Sequence, residues 1–176
     1  MATMLLPVTN VELPSDEWKI QGYKENKDFS EETICYKATL THLPTKVKFY
    51  ISNEGHGGSD MMDWDHRLPK AKEAYDAWKK FVKDCAPVLQ ASVNDSTEEW
   101  MRGLYDDADN IDHDSVIGLF VEEAANQQML SRKRGTVVRT EPTSGAFKIY
   151  KHTPEVLMGR VQGEYWDKAT KNWVSL

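Results

Sequence analysis

The chain has 176 residues, a formal net charge of −6, and 40% hydrophobic against 28% charged side chains. These values predict a single globular domain over residues 1–176, and six Trp, seven Tyr and five Phe exclude general disorder. No apolar run approaches the ~20 residues of a membrane span, and two cysteines are too few for a disulfide scaffold. We therefore expect a cytoplasmic protein, and its acidic balance disfavours direct nucleic-acid binding through a generally basic surface.

The N-terminal third is predicted to hold an arm and a hairpin. Residues 1–17, with Pro7 and Pro14, read as an irregular arm. Apolar and polar residues then alternate on both sides of a turn at 42–46, which predicts a β-hairpin over residues 32–53. The side chains expected on its buried face are Ile34, Tyr36, Ala38, Leu40, Val47, Phe49 and Ile51.

Residues 69–134 form a predicted helical middle. Pro69 suits the first turn of a helix whose apolar stripe ends where Pro87 should stop it. The capping box at Ser96 predicts a second helix. A third should begin near Asp114 and end with three cations in its last turn, where positive charge suits the helix dipole.

The C-terminal part, residues 136–176, is predicted to return to β structure with a second hairpin over 136–151. Strands near both ends and helices between them favour an α+β fold. In detail, the N- and C-terminal hairpins should form an antiparallel sheet, with the three central helices packed on one face.

Two blocks of the chain resemble a group of small uncharacterised proteins of phages and bacteria. The first block is residues 32–38 with 51–58, which ends in the run Asn-Glu-Gly-His-Gly-Gly, and the second is residues 133–139 with 150–156. The resemblance implies an origin in a phage or mobile element. It implies no activity and no catalytic residue.

A glycine-rich loop supplies the first candidate site. Its residues follow a predicted strand and are Gly55, His56, Gly57, Gly58 and Ser59. Successive N–H groups in such a loop can converge on an anion, and a histidine adds a donor near neutral pH. Cations that would complete this ligand site are Arg134, Arg139 and Lys148. The competing interpretations are a tight turn that needs glycine for positive φ, and cations that cap a helix or lie on exposed strands.

An acidic segment supplies the second candidate site. Residues 94–126 hold ten acidic side chains and one basic residue, Arg102. A dense negative surface can imitate nucleic-acid phosphates and occupy a basic groove on another protein. The partner-binding residues would be Asp106, Asp107, Asp109, Asp112 and Asp114. A solvated helix face is the competing interpretation.

A third set could bind a metal ion. Its members fall within eleven residues and are His56, Asp60, Asp63, Asp65 and His66. Imidazole and carboxylate groups suit Zn or Mn, but their spacing matches no established metal motif, so we expect neither a metal nor another cofactor.

Together these patterns favour a non-enzymatic, phage-type binding protein that counteracts a host immune system. It would act in the host cytoplasm by sequestering a small anionic ligand such as a nucleotide. Two alternatives are an acidic nucleic-acid mimic that inhibits a host protein, and a metal-dependent hydrolase using His56 and Asp60. No catalytic residue is predicted otherwise, and the sequence leaves the ligand, the partner and a homo-oligomeric state open.

Overall fold

The computed structural model describes residues 2–92, 111–142 and 145–176. Within these ranges the chain is mixed α+β with antiparallel strand pairing, as predicted. None of the helices described there has the length and apolar character needed to cross a bilayer.

The chain divides into two compact units. The first unit comprises Met1–Met4 and Glu12–Val121, and the second comprises Leu5–Val11 and Glu122–Leu176. Behaviour of the chain as one domain stays a prediction.

The N-terminal arm is not irregular, contrary to the expectation for residues 1–17. It contains a two-stranded sheet of β1 (Met4–Leu6) and β2 (Val11–Leu13). Asn10 closes the turn between them with φ 58°, and its backbone N–H donates to the Leu6 carbonyl at 2.8 Å. Asn is one of the few residues that tolerates this left-handed conformation, and three-residue strands are too short to show a clear period.

The first unit contains a four-stranded antiparallel sheet in the order β3-β4-β5-β6. Its strands are β3 (Trp18–Glu25), β4 (Tyr36–His42), β5 (Lys48–Asn53) and β6 (Met61–Asp63), with a 3-10 turn at Lys27–Phe29. The predicted hairpin is confirmed as β4 and β5, with Ala38 opposite Ile51 and Leu40 opposite Phe49. Ile34 was expected on the buried face, but it precedes β4 and is exposed.

Helices of the first unit agree with the apolar pattern except at one boundary. α1 (Ala71–Asp84) buries the predicted stripe, including Trp78 and Phe81. Pro87 does not end the helical segment. The helix breaks at Cys85, and α2 (Ala86–Ser92) begins one residue before Pro87, because proline is tolerated in a first turn.

The third predicted helix is confirmed as α3 (His113–Arg132), whose first nine residues belong to the first unit. The helix predicted from Ser96 lies outside the described residues. Packing of three helices on one face of a sheet therefore stays a prediction.

Aromatic side chains form the core of the first unit. Trp18 of β3 is fully buried, and its ring centroid lies 5.0 Å from that of Trp78 and 5.8 Å from those of Phe49 and Phe81. Phe81 in turn contacts Phe120 of α3 at 6.0 Å. Burial of large aromatic rings gives the strongest apolar stabilisation per residue, so this cluster fixes the inward face of the sheet.

The second unit has its own four-stranded antiparallel sheet, in the order β10-β9-β7-β8. The elements are β7 (Thr136–Arg139), β8 (Lys148–Tyr150), α4 (Pro154–Leu157), β9 (Glu164–Asp167) and β10 (Asn172–Ser175). The second hairpin is thus present as β7 and β8. It does not share a sheet with the first hairpin: β7 lies between β8 and β9, and the strands of the first hairpin belong to the separate β3-β4-β5-β6 sheet.

A buried carboxylate on α3 holds the β1–β2 turn within the second unit. Glu123 is 1% exposed and accepts hydrogen bonds from the backbone N–H groups of Val8, at 3.1 Å, and Thr9, at 2.8 Å. The Thr9 hydroxyl and the Gln127 amide donate to it as well. Buried charge is tolerated only when it is fully hydrogen-bonded, and these donors meet that requirement.

Glu123→Ala should lower the free energy of unfolding by roughly 2–4 kcal/mol, because it leaves the N–H groups of Val8 and Thr9 without a charged acceptor. Urea unfolding followed by tryptophan fluorescence measures the change. The matched control is Glu122→Ala, which alters the exposed neighbour on the same helix and should leave the midpoint unchanged. Equal midpoints for the two variants would contradict the assignment.

Candidate functional site

The glycine-rich loop is organised by one buried side chain, Asn53 at the end of β5. The Asn53 Oδ1 atom accepts from the Thr33 hydroxyl at 2.7 Å and from the Gly55 N–H at 2.8 Å. Its Nδ2 atom donates to the Gly58 carbonyl at 2.8 Å and to the Asp60 carboxylate at 3.0 Å. All polar atoms of this amide are therefore used to hold the loop in place.

Two of the glycines are required by the backbone itself. Gly55 has φ 89°, and a Cβ there would lie 2.0 Å from the Phe29 carbonyl oxygen. Gly57 has φ 79°, and its N–H donates to the Thr33 hydroxyl at 3.3 Å. Since the N–H groups of both glycines already have acceptors within the protein, these contacts support the tight-turn interpretation.

The exposed part of the loop lies beside carboxylates. His56 Nδ1 is 3.2 Å from the Glu31 carboxylate, and a Cβ at Gly57 would lie 2.2 Å from a Glu32 carboxylate oxygen. Gly58 and Ser59 are exposed as well. Nearby negative charge weakens the attraction of an anion, so the surroundings of the loop favour a ligand less than its glycines suggested.

Asp60 follows the loop and faces a tyrosine inside the first unit. Burial raises the pKa of Asp60, while the hydrogen bond from the Asn53 amide opposes the rise and the charges of Asp114 and Asp112 add to it. Burial, followed by the charge of Asp60, also raises the pKa of Tyr36. A half-buried carboxyl of this kind disfavours its own ionisation.

Only two of the five proposed partner-binding aspartates lie in the described ranges. Asp112 caps α3, because its Oδ1 atom accepts from the Ser115 N–H at 2.9 Å, which is the bond that an N-cap side chain makes. Asp114 lies in the first turn, where a negative charge suits the helix dipole. Asp106, Asp107 and Asp109 lie outside the described residues.

The proposed metal ligands do not come together as a site in the parts of the chain that the structure describes, where no three His, Cys, Asp or Glu side chains could hold an ion. His56 contacts Glu31, and Asp60 contacts Asn53. Asp65 pairs with Arg67 at 2.9 Å, and the His66 ring meets the edge of Trp64.

The three proposed ligand-binding cations belong to the second unit, whereas the glycine-rich loop belongs to the first. Arg139 has a structural role within its own unit: its Nε donates to Glu164 at 2.8 Å, and its guanidinium lies 4.4 Å from the Trp173 ring centroid. Arg134 and Lys148 are exposed. Convergence of these cations on the loop stays a prediction.

A different surface, not singled out from the sequence, gathers cations that form no ion pair with any residue in the described ranges. It is the outward side of the β3-β4-β5-β6 sheet, here called the outer face. Cross-strand register places its side chains in three rows, which are Lys19, Thr41 and Lys48; Gln21, Thr39, Tyr50 and Asp63; and Lys24, Lys37, Ser52 and Met61. The sequence signal was the polar half of the alternation that predicted the hairpin.

The outer face contains a shallow depression of about 500 Å³. The register of β3 shifts between Gln21 and Lys24, and Gly22, with φ 64°, has no side chain to fill the resulting space. The depression is lined by Gly22, Lys24, Lys37, Ala38, Thr39, Tyr50, Ile51 and Ser52. Bulges of this kind recur next to binding sites because they redirect side chains.

Comparison with protein-family models, with curated proteins and with solved structures finds no match to this chain.

Gly55→Ala should destabilise the protein by more than the roughly 1–2 kcal/mol that left-handed backbone costs other residues, because the new methyl group would also overlap the Phe29 carbonyl. Thermal unfolding gives the measure. Gly58→Ala is the control, since a Cβ at Gly58 meets nothing within 4 Å. If Gly55→Ala and Gly58→Ala unfold at the same midpoint temperature, close packing does not explain the glycine at position 55.

Asp60→Asn should change how stability depends on pH. Because the folded pKa of Asp60 is raised above its ordinary 3.8, the folded state holds this proton more tightly, and its contribution to stability is lost as pH rises through the folded pKa. Asp60→Asn has no carboxyl group to lose this proton. The free energy of unfolding of the variant should therefore rise relative to that of the parent as pH increases from 4 to 7. Urea midpoints across that range test it, with exposed Asp63→Asn as control. A constant difference at every pH would contradict the prediction.

Proposed function

We propose that the protein binds a small anionic ligand such as a nucleotide on the outer face, and that it acts by sequestering the ligand without converting it. The observation that carries this proposal is the pairing of Lys24 with Lys37 across β3 and β4. Neither lysine forms an ion pair with any residue in the described ranges.

Two facing lysines disfavour the sheet that carries them. Like charges directly opposite each other on neighbouring strands are destabilising, and neither Lys24 nor Lys37 forms an ion pair with a described carboxylate. A bound phosphate would supply that negative charge, because ammonium groups form strong charge-assisted hydrogen bonds with phosphate oxygens. The facing lysines therefore lower the stability of the free protein, and a bound phosphate would relieve their repulsion.

The neighbouring side chains suit the rest of a nucleotide. Tyr50 is 59% exposed and stands in the adjacent row, where its ring offers a surface for a nucleobase. Thr39 and Ser52 line the same depression and carry hydroxyl groups for hydrogen bonds. The volume of the depression falls within the range of small-molecule sites.

Sequestration of a nucleotide on the outer face would suit a protein that counteracts a host defence system. These ammonium, hydroxyl and phenol groups bind ligands, and sequestration requires nothing more. A binding protein that removes a nucleotide signal would counteract a host defence system in the cytoplasm of an infected bacterium. That setting is supported by the resemblance of residues 32–38 with 51–58, and of 133–139 with 150–156, to small proteins of phages and bacteria.

Calorimetric titration with ATP and with thymidine 5′-triphosphate tests the binding. Lys24→Gln and Lys37→Gln should each weaken binding about tenfold, which corresponds to the loss of one charge-assisted hydrogen bond. The control is Lys80→Gln on α1, where the lysine is paired with Asp84.

The same titration separates the outer face from the glycine-rich loop. Gly58→Val adds a side chain in open space within the loop, so it should block a ligand held there and leave a ligand on the outer face bound. Binding that is lost in Gly58→Val and kept in Lys37→Gln would overturn the outer-face assignment.

A further inference from the structure

The lysines of the outer face form two pairs, one on each side of the row that contains Tyr50. Lys24 and Lys37 are opposite each other on β3 and β4. Lys19 and Lys48 flank Thr41 in the row at the other end of the strands. The two rows are four residues apart along β4, which corresponds to about 13 Å at the rise of an antiparallel strand. This separation is longer than one nucleotide phosphate can bridge.

The outer face also departs from the charge of the whole chain. The protein carries a net charge of −6, yet the three rows contain four lysines and a single carboxylate, that of Asp63. None of the four lysines forms an ion pair with a residue that the structure describes. The face is therefore complementary to an extended anion that contacts both pairs.

We propose that the occupant of the outer face is a single-stranded nucleic acid, an inference that rests on the proposed function and names its ligand class. One phosphate would contact Lys24 and Lys37, another would contact Lys19 and Lys48, and a base between them would stack on Tyr50. Antiparallel sheets with exposed aromatic side chains bind single strands in this way, because unpaired bases are free to stack.

The central tyrosine selects this ligand over other polyanions. An acidic peptide would satisfy the lysines and leave the Tyr50 ring without a flat partner. A duplex keeps its bases stacked inside the helix, where a side chain on a sheet cannot reach their faces. The depression beside Tyr50, opened by the missing side chain at Gly22, offers room for a base turned toward the sheet.

Fluorescence anisotropy with a labelled ten-nucleotide oligothymidylate tests the inference, with thymidine 5′-triphosphate as the unlabelled competitor. The oligonucleotide should bind at least tenfold more tightly than the triphosphate. Its affinity should fall as salt rises from about 50 to about 200 mM, with a slope of about −0.7 for each phosphate contacted. Lys19→Gln and Lys48→Gln should each weaken oligonucleotide binding at least threefold and leave triphosphate binding unchanged.

Tyr50→Leu should weaken both ligands, because it removes the ring and keeps an apolar side chain. Lys80→Gln on α1 should weaken neither, and circular dichroism of each variant shows that it is folded. An equally tight complex with labelled oligoglutamate, weakened by the same lysine variants, would overturn the assignment to nucleic acid. Tighter binding of a duplex than of the single strand would overturn it as well.

The failures of the two proposals are distinguishable. One outcome is that the triphosphate binds through Lys24 and Lys37, the oligonucleotide binds no more tightly than the triphosphate, and Lys48→Gln leaves oligonucleotide binding unchanged. The nucleotide site then stands and the single-strand inference is wrong. If the oligonucleotide binds through both lysine pairs and the triphosphate does not bind, the single-strand inference stands and sequestration of a free nucleotide is wrong. If neither the triphosphate nor the oligonucleotide binds, both proposals are wrong.

Discussion

Burial of the aromatic side chains on one side of the β3-β4-β5-β6 sheet is the constraint from which the proposed binding surface follows. Side chains alternate strictly along a strand, and a slip of one residue would turn every side chain to the other side. Trp18, Leu40 and Phe49 are almost fully buried. Because they must face inward, Lys19 and Tyr50 face outward. The core and the outer face are therefore two consequences of the same register.

The glycine-rich loop and the β1–β2 turn together show why glycine content is a poor guide to ligands. The glycine-rich loop uses its N–H groups internally, on Asn53 and Thr33. The β1–β2 turn contains no glycine, yet its N–H groups at Val8 and Thr9 converge on the carboxylate of Glu123. A glycine indicates that the backbone adopts a conformation that other residues disfavour. The acceptor that a backbone N–H meets can be close in sequence, as Asn53 is to Gly55, or distant, as Glu123 is from Thr9.

Local periodicity predicted the first hairpin, α1 and α3, because each pattern is contained within one element. It did not predict that β7 would pair with β9, or that the β1–β2 turn would bind a side chain more than one hundred residues away. These contacts depend on tertiary packing, which the local pattern does not record. The cations of the candidate site were present in the alternation as the polar half of each strand. The alternation within one strand did not show that Lys24 lies opposite Lys37, because that depends on how β3 pairs with β4.

The net charge of the chain and the charge of the outer face lead to opposite expectations about nucleic acid. Charges in solution are screened over about 10 Å at 0.1 M salt. A phosphate on the outer face would therefore interact most strongly with the lysines it touches, and Asp63 stands in the adjacent row. The acids of residues 94–126 contribute most to the total of −6, but a total does not describe the field at one face. The proposed binding on that face therefore depends on the charge pattern that the sheet register creates, which the overall charge of the chain does not describe.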